Sequence, residues 1–231
     1  MFDRKIGYIL KHVSILHAMN ALESNMPLLK PEQDIWPLHL LDEQETESDE
    51  SNESGEYEKP VSVTPLIFAQ SETWWALYTL ARFEKKLMRN LIGLQIPFYG
   101  PTIARRYRSP QGRIRTSVEP LFPNYVFIMG DEMARYNAVS TGCVSRWMPV
   151  ADSAELVTDL RQIRRLILTD SPLAPELRLQ PGQKVRVKTG VFKGFEGTII
   201  RRENEVRLLI SVRYMGRGAS VALDDCQLEA I

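Results

Sequence analysis

Apolar positions along this chain follow two spacings, period 2 and period 3.6, and the switches between them mark out its elements. Trp74-Trp75-Ala76-Leu77-Tyr78-Thr79-Leu80 predicts a strand, with Trp74, Ala76 and Tyr78 facing one way and Trp75 and Leu77 the other. RFEKKLMRNLIGL then predicts a helix, with Phe83, Leu87, Leu91 and Leu94 on one stripe and Lys85, Lys86 and Arg89 opposite. Gly93 and Pro97 close it. Further on, EPLFPNYVFIM (119–129) is apolar on both faces of an extended strand. Leu121, Tyr125, Phe127 and Met129 point to one side, and Phe122, Val126 and Ile128 to the other. An ordinary half-buried strand keeps one face polar. The second face is therefore covered either by the chain's own helices or by another protein, and alternation does not choose between them.

Between these segments, TIARRYRSPQGRIRTSV reads as a hairpin turning at Ser109-Pro110-Gln111-Gly112, with proline and glycine placed for a type I turn. DEMARYNAV predicts a short helix and CVSRWMPV (143–150) a strand. Asp152 and Glu155 have capping-box spacing ahead of a helix lined by Leu156, Leu160, Ile163 and Ile167. Interleaved strands and helices with a hairpin describe an α+β fold, an α/β sandwich on an antiparallel sheet, over 71–170. The proline-rich stretch SPLAPELRLQPG reads as a linker at 171–181. Beyond it, KVRVKTG, EGTIIRR, VRLLISVRY and ASVAL are short alternating strands separated by glycines, a small β-barrel over 182–231.

Charge sets the first 70 residues apart. They hold 5 basic and 13 acidic side chains, a balance of −8, whereas the whole chain is at +0 and the remainder is therefore +8. DEQETESDESNESGEYE (42–58) is too polar to fold, so 25–70 is expected to be disordered after a short helix at 5–22. The basic body suits a polyanionic partner. All three histidines (His12, His17, His39) precede Ser71, which removes histidine-dependent nucleophiles and histidine-ligated metals from the body. No cofactor is expected. Asp224 and Asp225 are strand neighbours facing opposite ways, and Gly190, Gly194 and Gly197 lack the GK[ST] of a phosphate loop. Cys143 and Cys226 suit a reducing compartment as small buried hydrophobes. The start is a poor signal peptide, no run reaches the roughly 18 apolar residues of a membrane helix, and the expected location is cytoplasmic.

Four segments, WWALYTLARFEKKL, EPLFPNYVFI, TGCVSRWM and KVRVKTGVFKGFEGTIIRR through RYMGRGASVALDDCQLEAI, resemble, in order, the NusG family of transcription elongation factors. EPLFPNYVFI is especially close to the family's specialised RfaH-like branch. The resemblance covers about 73–231 and implies a monomeric, non-enzymatic factor. Its amino-terminal domain would dock on the clamp helices of the RNA polymerase largest subunit and touch non-template DNA. Its carboxyl-terminal KOW barrel would recruit Rho or the ribosomal protein NusE.

The resemblance places Tyr78, Tyr125 and Phe127 in the polymerase-docking depression, so that Phe127→Ala should leave the fold intact and remove binding. The hairpin residues Arg105, Arg106, Tyr107, Arg108, Arg113 and Arg115 can pair with phosphates and stack on a base; an arginine-rich edge guarding against aggregation is the other reading. Phe192, Phe195, Tyr214, Met215 and Arg217 fall at the KOW partner site, with Met215 where the family has phenylalanine. Arg82 replaces a family glycine and adds charge at a helix start near DNA, while MARYNAVSTGCV lacks the histidine-threonine run of the RfaH branch. Arg82, the acidic extension and the EPLFPNYVFI match point to a specialised antiterminator, while the missing run removes the residues that make that branch's gate-loop contact; a housekeeping factor or an RNA-binding KOW module are the alternatives. Val185, Val187, Ile199, Ile200, Ile210, Val212 and Val221 favour strands at the carboxyl end, hence a barrel rather than the helical form that branch adopts.

Overall fold

The computed structural model describes residues 33–42, 73–178, 181–202, 205–223 and 227–231. The expected helix at 5–22, nearly all of the acidic run, the Asp224-Asp225 pair and Cys226 lie outside them. The chain divides into two compact units. Of the described residues, 33–37, 75–128 and 132–148 belong to the first, and 38–42, 73–74, 129–131 and 149–231 to the second.

The elements of the amino-terminal half are β1 (Ile35–Trp36), β2 (Thr73–Thr79), α1 (Glu84–Gly93), β3 (Phe98–Tyr99), β4 (Thr102–Arg108), β5 (Ile114–Pro120), β6 (Tyr125–Gly130), α2 (Glu132–Ser140) and β7 (Val144–Pro149). Five strands form one sheet in the order β1-β3-β6-β2-β7, while β4 and β5 stand apart as a two-stranded ribbon. Leu87, Met88 and Leu91 of α1 pack with Trp75 and Leu77 of β2 and with Val126 and Ile128 of β6. One apolar face of β6 is thus covered by the chain's own helix. Cys143 lies in this core as a buried free thiol, accepting from Asn90 Nδ2 at 3.7 Å.

The structure corrects the reading of 119–129 as one strand. Glu119 and Pro120 end β5, and the chain turns before β6 begins at Tyr125. Tyr125 N donates to Phe122 O at 3.1 Å, and Asn124 has φ 69. Proline and then a left-handed asparagine at the two central positions are what a type II turn demands. The Leu121 and Phe122 side chains are both buried by this turn rather than by pleating.

In the second unit, α3 (Ser153–Leu168) starts at Asp152, whose side chain accepts from Glu155 N at 2.8 Å. It is followed by β8 (Leu173–Glu176), β9 (Gln183–Val187), β10 (Glu196–Arg202), β11 (Glu205–Val212), β12 (Arg217–Ala222) and β13 (Leu228–Ala230), in the sheet order β13-β9-β10-β11-β12-β8. Val185, Val187, Leu208, Ile210, Val212 and Val221 are buried in its interior. At Gly197 a Cβ would lie 2.5 Å from Leu209 O, so the two strands approach there at a distance only glycine allows.

Two boundaries differ from expectation. The segment 171–181, expected as a linker, contributes β8, in register with β12 from Leu173↔Val221 to Glu176↔Gly218. β8 closes one end of the strand order, where a proline such as Pro175 removes no ladder bond that the sheet needs. Its Glu176 is buried and accepts from Ser220 Oγ at 2.7 Å and Arg202 Nη1 at 3.0 Å. Order also begins before Thr73. Ile35 pairs with Tyr99, Asp34 Oδ2 accepts from Thr102 N at 3.0 Å, and the Arg161 guanidinium donates to Asp42 O at 2.9 Å. These few contacts anchor part of what composition marks as an unstructured tail. No helix among the described residues is long and apolar enough to cross a membrane.

Candidate functional site

The sequence motifs around Tyr78 and Tyr125 meet in space. The two rings pack edge to face with centroids 5.3 Å apart and planes at 86°, a favoured aromatic geometry. Asn124 Nδ2 donates to Tyr78 Oη at 3.1 Å, while Asn124 N donates to Glu84 Oε1 at 2.8 Å. Glu84 is buried at the start of α1. Phe-Glu at the helix start and Pro-Asn-Tyr at the strand start are therefore one hydrogen-bonded assembly that fixes the tyrosine pair. Both tyrosines remain partly exposed. Arg146 of β7, exposed, lies over the Tyr78 ring at 5.5 Å.

Phe127 is a correction. Its exposure is 0%, and its neighbour in register on β3 is Tyr99, also buried. Sealed from solvent, it presents no ring to a partner. Asn124, Glu84 and Arg146 were missed from the sequence. The Pro-Asn turn signal and the alternation of Arg146 with Trp147 could have found the first and last.

Arg82 is exposed and has φ 66, the left-handed region that a glycine would enter without steric cost. A non-glycine residue held there stores about 1–2 kcal/mol.

The ribbon carries the predicted arginines. Gly112 N donates to Ser109 O and Ser109 N to Arg113 O, both at 2.8 Å, with Gly112 at φ 80. That is a type I turn closed by a left-handed glycine, the three-residue hairpin loop. Register puts Tyr107 opposite Arg115 and Arg105 opposite Ser117, so Arg105, Tyr107 and Arg115 share one face. Arg106 and Arg108 share the other, opposite Thr116 and Ile114. All five arginines and Tyr107 are exposed. Arg105 makes a 3.7 Å ion pair with Glu119, too exposed to be worth much. Lys85 Nζ donates to Val118 O at 2.6 Å and ties the ribbon base to α1.

In the barrel, Phe192 and Phe195 are 7% and 3% exposed and pack edge to face at 6.2 Å. This corrects their placement at a partner surface. The loop folds back through Gly194 N to Val187 O at 2.8 Å, drawing both rings inward, and Arg165 of α3 covers Phe195 at 4.8 Å. Tyr214 and Met215 lie on a single 3₁₀ turn, Arg213–Met215, and Arg217 opens β12. All three are partly exposed, and Tyr214 Oη donates to Pro149 O at 3.1 Å. Arg213 beside them binds Asp159 of α3 through its backbone N at 2.9 Å and its Nη2 at 2.9 Å, and pairs with Glu155 at 2.6 Å. The hydrogen bond to Asp159 is the main cause holding the Arg213 pKa above its ordinary value. No cluster of metal ligands occurs among the described residues.

The described residues thus present a hydrogen-bonded tyrosine pair, an arginine-rich ribbon and a small β-barrel. The family described as "Transcription termination factor nusG" matches residues 72–174. The transcription termination/antitermination protein NusG of Thermus thermophilus is 27% identical over 179 residues, covering 67% of this chain and 96% of that one. The protein of the same name from Escherichia coli K12 is 30% identical over 131 residues, covering 51% and 69%. Among solved structures, a chain of the MjSpt4:Spt5 complex (conformation B) is similar at 16% identity and TM-score 0.23, covering 68% of this chain and 97% of that one. The chain belongs to the NusG family of transcription termination/antitermination proteins, which are transcription factors and not enzymes.

Proposed function

We propose that this chain is a specialised cytoplasmic antitermination factor that docks Tyr78 and Tyr125 on the clamp helices of the RNA polymerase largest subunit. Docking would suppress pausing or termination, while Tyr214, Met215 and Arg217 recruit Rho or NusE as a second partner. The observation that carries the reading is the tyrosine pair held by Asn124 and Glu84 yet left partly exposed. A rigid, prepaid aromatic surface is the usual anchor of a protein interface. Truncating one such anchor typically costs about 2 kcal/mol, roughly 30-fold in affinity. Tyr125→Ala should therefore lower capture of the clamp helices about 30-fold while the circular dichroism spectrum stays that of the parent. Unchanged capture by both Tyr78→Ala and Tyr125→Ala would refute the docking.

The ribbon is read as the contact to the exposed non-template strand, with Tyr107 stacking on a base between Arg105 and Arg115. Each phosphate contact removed should reduce the slope of log affinity against log salt by about one. Replacing all five ribbon arginines with glutamine and finding the parent slope would return the ribbon to a mere solubilising edge. Arg82 supports the specialised assignment, because strain at a charged residue is retained where function holds it. Arg82→Gly is expected to raise stability by about 1 kcal/mol while weakening binding to DNA. Thermal melts and DNA titrations of that variant check both halves.

A further inference from the structure

Arg146 belongs to the same face as the tyrosine pair. Tyr125, Tyr78 and Arg146 come from β6, β2 and β7, which are consecutive in the sheet. Their spacings along this row are nearly equal: 5.3 Å between the two tyrosine rings, and 5.5 Å from the Tyr78 ring to the Arg146 guanidinium. An α-helix advances about 5.4 Å per turn. A helix crossing these strands would present a side chain from each successive turn to each member of the row.

The chemistry of the third position differs from the first two. Arg146 is exposed, and among the described residues no carboxylate pairs with it, whereas Arg105 and Arg135 each have one. Its contact with the Tyr78 ring at 5.5 Å restrains the guanidinium beside the tyrosine pair. A guanidinium held in this way forks onto a carboxylate through two parallel hydrogen bonds.

We infer that Arg146 is a specificity residue of the docking face, and that it reads an aspartate or glutamate placed one helical turn beyond the two apolar side chains that seat on Tyr78 and Tyr125. The partner is thus a helix with the pattern apolar, apolar, acidic on consecutive turns. This rests on the docking reading and adds a charge requirement to it. A helix with lysine at that turn would be rejected by like-charge contact, so the same residue discriminates between helices of equal hydrophobicity.

The test is a charge swap measured by binding of the full chain to the polymerase clamp helices. Arg146→Glu should lower affinity at least tenfold, and Arg146→Gln should lower it less and flatten its salt dependence. Reversing one carboxylate of the helix to lysine should restore binding of the Arg146→Glu variant and harm binding of the parent. Parent-like affinity of Arg146→Glu, with Tyr125→Ala still defective, overturns the inference and leaves the docking reading standing. Loss that no partner reversal restores also overturns it, since Arg146 would then act only by steadying Tyr78 or by meeting a phosphate. Parent-like binding by the tyrosine variants as well removes the docking reading itself.

Discussion

Phe127→Ala should lower the free energy of unfolding by about 3–5 kcal/mol, the range for removing a fully buried phenylalanine. The size follows from where the ring is: 0% exposed on the central strand β6, in register with the buried Tyr99. Deleting it loses the transfer free energy of the ring and leaves a cavity that a sheet, hydrogen-bonded on both sides of β6, can close only in part. The Tyr125→Ala change, two residues earlier on the same face, acts at a partly exposed residue. Its stability cost should be clearly smaller, with its main effect on binding. Urea denaturation of the two variants side by side separates them. A Phe127→Ala protein with parent-like stability and lost clamp-helix binding would restore Phe127 to the docking surface and refute its role as a core support.

The difference between these neighbouring residues shows how far the sequence could be read. The α/β sandwich, the hairpin with its type I turn, the Asp152 cap and the barrel strands were legible because each is set by local spacing or by a turn residue. Tyr125 and Phe127 have identical parity, and no pattern says which position lies at the rim and which beneath it. That depends on how β3 and β6 end, a property of the assembled sheet. The same limit applied to Phe192 and Phe195, where glycines 190 and 194 at φ 83 and 85 turn an apparently exposed loop inward. Composition misread 171–181 for a different reason. Prolines were taken as breakers, but at the end of a sheet the missing N–H costs nothing. Arg146 was passed over because its alternation with Trp147 gives the parity of the side chain but not which ring it meets.

The second large effect concerns Arg213 and Asp159, which join the 3₁₀ turn of the barrel to α3 within one compact unit. Arg213→Ala is expected to cost about 3 kcal/mol, the low end for breaking a buried ion pair. The Asp159 side chain is only 4% exposed, whereas that of Arg213 is 53% exposed. Removing the arginine strands a buried carboxylate, which keeps the Arg213 backbone N–H as a donor but loses the guanidinium. Removing the aspartate leaves a guanidinium that water and Glu155 can still satisfy. Asp159→Ala should accordingly cost less, about 1.5–3 kcal/mol, the value of hydrogen bonds to a charged group. The double variant should cost less than the two singles together, because the charge stranded by one change is absent in the other. A urea-denaturation cycle on the full chain measures all three. Additive losses would show that the two side chains stabilise their elements separately, and that the ion pair does not join barrel to helix.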